Sequence, residues 1–159
     1  MCEIAIIDPL DFQFVANFEG SSLPYSQALT FARQYSLQYS QLVDLSPNNS
    51  QVAQYCNLTR SSSDIFICDT ETGQITVEFR DLESPTFAVA WSPTGEILAS
   101  GYDNGTFRLW DVANHRSKAR IQGPSEAVTS ITWNSSGTRF ATASLDGTVR
   151  VWEILVLNP

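Results

Sequence analysis

The chain has 159 residues, 43% of them hydrophobic and 16% charged, which is too apolar for disorder and too sparsely charged for a coiled coil, so a single soluble globular unit is expected. Nine basic residues, spread singly, stand against seventeen acidic ones for a net charge of -8, which argues against nucleic acid because phosphate binding needs clustered Lys and Arg. No apolar run approaches a membrane span, Met1 to Leu10 lacks the basic start and long apolar core of a signal peptide, and Cys2, Cys56 and Cys68 have no paired spacing, so a reducing intracellular compartment, cytoplasmic or nuclear, is expected.

From the start of the chain, Ile4 to Ile7 reads as a short strand and Phe12 to Phe18 as a second. Between Gly20 and Gln41 two readings stand: Ser26 to Tyr35 suits a short helix, while Tyr35, Leu37, Tyr39, Gln41, Val43 and Leu45 alternate like an extended strand. Strands around Leu45, at Val52 to Cys56, at Ile67-Cys68 and at Gln74 to Arg80 follow, the loop NLTRSSS separating the second from the third. Phe87 to Trp110 then carries an alternating run, a turn at Ser92-Pro93-Thr94-Gly95, a run from Ile97, an Asn104-Gly105 turn and a third run. Thr129 to Trp152 repeats that stretch 42 residues later without a gap, with Trp91/Trp133, Gly95/Gly137, Ala99/Ala141, Gly105/Gly147, Thr106/Thr148, Arg108/Arg150 and Trp110/Trp152 identical. Apolar residues recur at spacing two, and Asn-Gly and Asp-Gly pairs take the positive φ angles of two-residue hairpin turns, so each unit reads as short antiparallel strands. The four sequons at Asn48, Asn57, Asn104 and Asn134 read as turn residues.

A period of 40 to 45 residues with this turn chemistry points to propeller blades. The unit resembles the WD40 repeat, with Trp110-Asp111 as the WD dipeptide and Trp152-Glu153 as a variant. Two positions depart from the family pattern: Asp81-Leu82 and Gly123-Pro124 stand where the family places Gly-His, so the buried His of its polar network is missing, and Asn104 replaces the turn Asp that survives as Asp146. The resemblance implies an all-β, WD40-like β-propeller arc of about three blades, built from four-stranded antiparallel meanders and belonging to a larger propeller or assembly. Its parts are a partial blade with an inserted segment at 1-40, blades at 41-80 and 87-122, and a partial blade with a tail at 128-159. Thirteen strands are too few for an ordinary closed ring, so the arc should leave faces and edges that self-association or further blades would cover.

The resemblance implies a non-catalytic scaffold for protein-protein interaction, binding a protein or peptide through loops at one face, with neither nucleic acid nor membrane as partner. The positions it places toward a partner are Ser84, Thr86, Tyr102, Asp103, Glu126 and Leu145. Tyr102 has a second reading, packing against the neighbouring blade, while the much smaller Ser144 holds its position in the next unit. Asp146 suits a tight Asp-Gly turn by itself, and the family network would also join it to Ser144 or Thr142 and to the Trp152 indole, with Asn104 and Trp110 as counterparts one unit earlier. Other classes stay open: a structural subunit or sensor region of a multidomain assembly, or a propeller enzyme with carboxylates in the central channel. No catalytic residue, cofactor or metal site is assigned. His115 lies in a polar turn without a nucleophile beside it, Cys56 and Cys68 lack zinc spacing, and the acidic residues sit singly at strand ends.

Overall fold

The computed structural model describes residues 5–7, 14–17, 43–55, 64–80 and 84–155. They form an all-β architecture with no helix among the described residues, and the two readings of residues 20–41 fall outside them up to Val43. Strands β1 (Ala5–Ile7) and β2 (Phe14–Asn17) form an antiparallel pair. Sheet I joins β3 (Val43–Leu45), β4 (Gln51–Tyr55), β5 (Ile65–Asp69) and β6 (Ile75–Phe79) in sequence order. Sheet II joins β7 (Thr86–Trp91), β8 (Ile97–Tyr102), β9 (Thr106–Asp111) and β10 (Arg116–Gln122) in the same way. Sheet III has three described strands, β11 (Val128–Trp133), β12 (Arg139–Ser144) and β13 (Val149–Glu153).

The backbone repeats more faithfully than the side chains. Phe87 is an extra residue between the Thr86–Tyr102 and Ala88–Gly101 pairs, and Thr129, 42 residues on, is the extra residue between Val128–Ser144 and Ser130–Ala143. Thr76 and Lys118 bulge from the fourth strands with the same 42-residue spacing. A bulge bends and twists a strand locally, so sheets II and III share a bend at their first strands and sheets I and II at their fourth. The turn from third to fourth strand also has a fixed chemistry. Asp69 accepts the N–H groups of Glu71 (3.1 Å) and Thr72 (2.8 Å), and Asp111 accepts that of Asn114 (3.1 Å). Glu153, in the same repeat position, instead accepts Arg139 at 2.9 Å.

The hairpin turns differ from the two-residue type expected from Asn-Gly and Asp-Gly. Only the glycines have positive φ, +75° at Gly105 and +80° at Gly147. Their N–H groups donate to Tyr102 O (3.2 Å) and Ser144 O (3.1 Å), so each loop is a four-residue turn ending in a left-handed glycine. Asn104 and Asp146 are used through their side chains: Oδ1 of each accepts the N–H two residues on, at 3.1 Å from Thr106 and 2.9 Å from Thr148.

Adjacent sheets bury apolar faces against each other. Ile65, Ile67, Val77 and Phe79 of sheet I pack on Val89, Trp91, Leu98 and Trp110 of sheet II, and Phe79 stacks on Trp110 at 4.5 Å between ring centroids. The other face of sheet II, with Ala88, Ala90, Ala99, Phe107 and Leu109, packs on Val128, Ile131 and Phe140 of sheet III. The small residues let backbones approach closely: a Cβ at Gly101 would lie 2.6 Å from Cγ1 of Val128. The periodic tryptophans bind the sheets in the same places. Trp91 Nε1–H donates to the Asp44 carbonyl and Trp133 Nε1–H to the Ala90 carbonyl, each at 3.2 Å, and Asp44 and Ala90 hold one repeat position.

The two turn glycines separate backbone strain from inter-sheet packing. An added Cβ at Gly105 would lie 2.2 Å from Pro124 O and 2.9 Å from Glu126 O, whereas at Gly147 it would meet nothing within 4 Å. Gly147→Ala should therefore cost about 1 to 2 kcal/mol, the ordinary penalty of a left-handed L-residue, and Gly105→Ala about 1 to 3 kcal/mol more through overpacking. Thermal or urea unfolding of the two variants measures the difference; equal losses would contradict this packing.

Candidate interaction surface

The loops at one end of the sheets are held by hydrogen bonds within each unit. In sheet II, Asp103 N–H donates to Pro85 O (2.9 Å) and Asn104 N–H to Ser84 Oγ (3.2 Å), tying the segment before β7 to the β8–β9 turn. In sheet III, Ser125 N–H donates to Asp146 Oδ2 (2.9 Å), Leu145 N–H to Ala127 O (3.0 Å) and Ser144 Oγ–H to Glu126 O (3.0 Å). The close approach of Gly105 to Pro124 and Glu126 joins the two sets of loops. Asp146 also accepts the Thr148 hydroxyl at 2.6 Å, and that bond, followed by the Ser125 N–H, holds its carboxyl well below the usual carboxylate range. The end therefore presents a charged carboxylate at neutral pH beside those of Asp103 and Glu126.

The six positions expected to face a partner divide in two. Asp103 and Glu126 are exposed, Leu145 is 65% exposed, and Ser84 is half-buried. Thr86 and Tyr102 are each 1% exposed, so neither offers a side-chain surface to a partner. For Tyr102 the packing reading replaces the partner-contact reading, and the reason is a hydrogen-bond chain. Its hydroxyl lies 2.6 Å from Ser100 Oγ, which accepts the Trp110 indole N–H at 2.8 Å. Tyr102 and Ser100 share a face because they stand two apart on β8. The tyrosine hydroxyl thus adds a second buried polar partner to Ser100 Oγ beside the Trp110 indole.

The same pair of positions is bonded in every sheet. Trp152 Nε1–H donates to Thr142 Oγ1 at 3.0 Å, and in sheet I Gln54 Nε2–H donates to Cys68 Sγ at 3.5 Å, with the donor on the opposite strand. The expected network of Asp146 with Ser144 or Thr142 and the Trp152 indole is divided between the two hydroxyls: Asp146 N–H donates to Ser144 Oγ at 3.2 Å, and the indole donates to Thr142. The indole stops at Thr142, Ser144 Oγ is turned to Glu126 O, and the Asp146 carboxylate is occupied by Ser125 and Thr148. Asn104 matches Asp146 only with its Oδ1, which accepts the Thr106 hydroxyl at 2.6 Å.

A groove of about 570 Å³ follows the innermost strands, bounded by Asp44, Trp91, Pro93, Trp133 and Asn134. Asp44 is the only carboxylate among its lining residues, and its Oδ2 accepts the Trp91 backbone N–H at 2.8 Å. Among the described residues, no group of three or more His, Cys, Asp or Glu side chains could hold a metal ion. His115 is exposed in the β9–β10 turn with φ of +52°.

Consecutive meanders with indole-to-hydroxyl bonds at a 42-residue spacing agree with a family comparison. The profile of the WD domain, G-beta repeat, matches residues 78–111 and 116–153. Both stretches are WD40 repeats. The matched stretches run from the end of β6 through β13. The chain is also similar to the periodic tryptophan protein 2 homolog of Schizosaccharomyces pombe, 28% identical over 88 residues. That match covers 55% of this chain and 10% of the relative, so the chain spans about a tenth of that protein's length.

Removing the Tyr102 hydroxyl leaves the buried Ser100 Oγ one partner short. Tyr102→Phe should cost about 1 to 3 kcal/mol, and Tyr102→Ala about 3 to 5 kcal/mol, comparable to Trp110→Ala. Denaturant melts of the three variants check the order; a neutral Tyr102→Phe would remove the hydroxyl from the network. For Asp146 the folded pKa lies below the unfolded value, so its contribution is present above pH ~4 and falls away as pH drops below that value. Asp146→Asn should keep the Oδ1 bonds, as Asn104 does, and lessen the acid sensitivity of the melting temperature, measured from pH 7 down to pH 3.

Proposed function

We propose that this chain is a non-catalytic scaffold that binds a protein or peptide partner through the loops at the Asp103–Glu126–Leu145 end. The observation that carries the reading is the contrast between a fixed backbone and free side chains. Five hydrogen bonds hold the loop segments, while Asp103, Glu126 and Leu145 stay exposed. A preorganised surface loses little entropy on binding, so its contacts translate more fully into affinity. WD40 repeats generally serve as protein-interaction scaffolds. The end combines one exposed leucine with the carboxylates of Asp103, Glu126 and Asp146, so the partner segment is basic with an apolar anchor. The reading against an enzyme rests on the channel side, where the carboxylate of Asp44 is engaged with backbone. Cytoplasm or nucleus is the compartment consistent with the unpaired spacing of the cysteines.

A peptide library selected against the full chain tests this. The selected peptides should be basic, weaken as ionic strength rises, and bind about tenfold or more weakly to the Asp103→Ala, Glu126→Ala, Leu145→Ala triple variant, with its melting temperature near that of the parent. Undiminished binding to the triple variant would place the interaction elsewhere.

A further inference from the structure

The sequence contains three Ser-Pro dipeptides, beginning at Ser46, Ser84 and Ser92, and the fold treats one of them differently. Ser46 and Ser92 follow the first strands of sheets I and II and are 4% and 1% exposed. Each hydroxyl is used to close the turn that follows. Ser46 Oγ–H donates to Asn48 Oδ1 (2.8 Å) and its oxygen accepts Gln51 N–H (3.0 Å). Ser92 Oγ lies 3.1 Å from Thr94 Oγ1 and accepts Ile97 N–H at 3.1 Å. Ser84 instead stands at the loop end, half-buried, where its Oγ accepts the N–H of the exposed Asn104.

The repeat supplies an internal comparison for Ser84. Glu126 holds the same position 42 residues on, and the backbone frame around the two is the same: Asp103 N–H donates to Pro85 O, and Leu145 N–H to Ala127 O. Within that frame the Glu126 side chain is exposed. The position therefore accommodates a long, negatively charged side chain directed to solvent, and the sheet II unit holds a hydroxyl there in place of the charge.

We propose that Ser84 is a phosphoacceptor for a protein kinase directed to Ser-Pro, and that its phosphate strengthens the hold of the loop end on a basic partner. In the transfer, Ser84 Oγ attacks the γ-phosphorus of ATP and an Oγ–P bond forms. The bond from that phosphorus to the bridging oxygen breaks, ADP leaves with the electron pair, and the hydroxyl proton passes to the kinase. Pro85 biases the residue before it toward extended backbone, the form in which a chain lies across an enzyme groove. The product carries about −1.5 to −2 charges at neutral pH, and its oxygens can take over the Asn104 N–H as a charge-assisted bond. Beside Asp103, Glu126 and Asp146 it deepens the negative potential of this end, so the second half of the proposal rests on the partner reading above.

The test incubates the full chain with ATP and a kinase directed to Ser-Pro, beside capped peptides of residues 42–50, 80–88 and 88–96, and maps the sites by mass spectrometry. Relative to its own peptide, Ser84 in the folded chain should react about tenfold or more faster than Ser46 and Ser92, and Ser84→Ala should remove the folded-chain signal. Ser46 or Ser92 reacting as fast as Ser84 on that scale, or Ser84 inert where its peptide reacts, would overturn the proposal. The phosphorylated chain should then bind a capped basic pentapeptide with a central leucine about threefold or more tighter, the gain shrinking as salt rises. A phosphate that leaves this affinity unchanged, while the Asp103→Ala, Glu126→Ala, Leu145→Ala variant loses it, would overturn the switch and keep the partner reading. An affinity that neither change moves would overturn both.

Discussion

The arrangement depends on the packing of one sheet face against the next, fixed by the tryptophans that end the inner strands of sheets II and III. A four-stranded meander is apolar on both faces and cannot bury either alone, so a neighbouring sheet is a requirement of its stability. The Trp91 and Trp133 indoles bury large apolar surfaces at that contact and spend their single N–H on the preceding sheet's inner strand. Each bond lands on the same backbone position of the preceding sheet. Leu45, in the equivalent place on β3, has no side-chain N–H to give.

Much of this was legible in the residues. Alternation at spacing two, four turn glycines at fixed offsets and the recurrence of two tryptophans were enough for the strands, their order and the family. The bulges were not, because Phe87 and Thr129, or Thr76 and Lys118, share no chemistry; what repeats is a backbone irregularity imposed by the packing. The turn type was missed for a related reason. Asn-Gly and Asp-Gly are compatible with two loop lengths, and the choice lay with side-chain acceptors for the Thr106 and Thr148 N–H groups.

The candidate site was half legible. Asp103, Glu126 and Leu145 emerge at the loop end, whereas Tyr102 turns inward because Ser100 and Trp110 offer its hydroxyl a buried partner. A size difference between Tyr102 and Ser144 could signal either a surface anchor or an internal substitution. The signal that separates them is the Ser100 hydroxyl two residues away on the same face of β8, within reach of the Trp110 indole. Sheet I solves the same problem with Gln54 and Cys68, so the position demands a hydrogen bond without demanding a residue type.

The fit of Val128 over Gly101 makes the sheets ordered rather than interchangeable. Val128 is a knob whose counterpart one unit earlier is Thr86, and Gly101 is a hole whose counterpart one unit later is Ala143. Tandem copies of the sheet II unit alone would seat a threonine on the glycine and lose an apolar contact, while tandem copies of the sheet III unit would drive a valine into an alanine. The two units thus form a directional pair, each lacking what it would need to stack on itself, and the array carries its own assembly order in the interface.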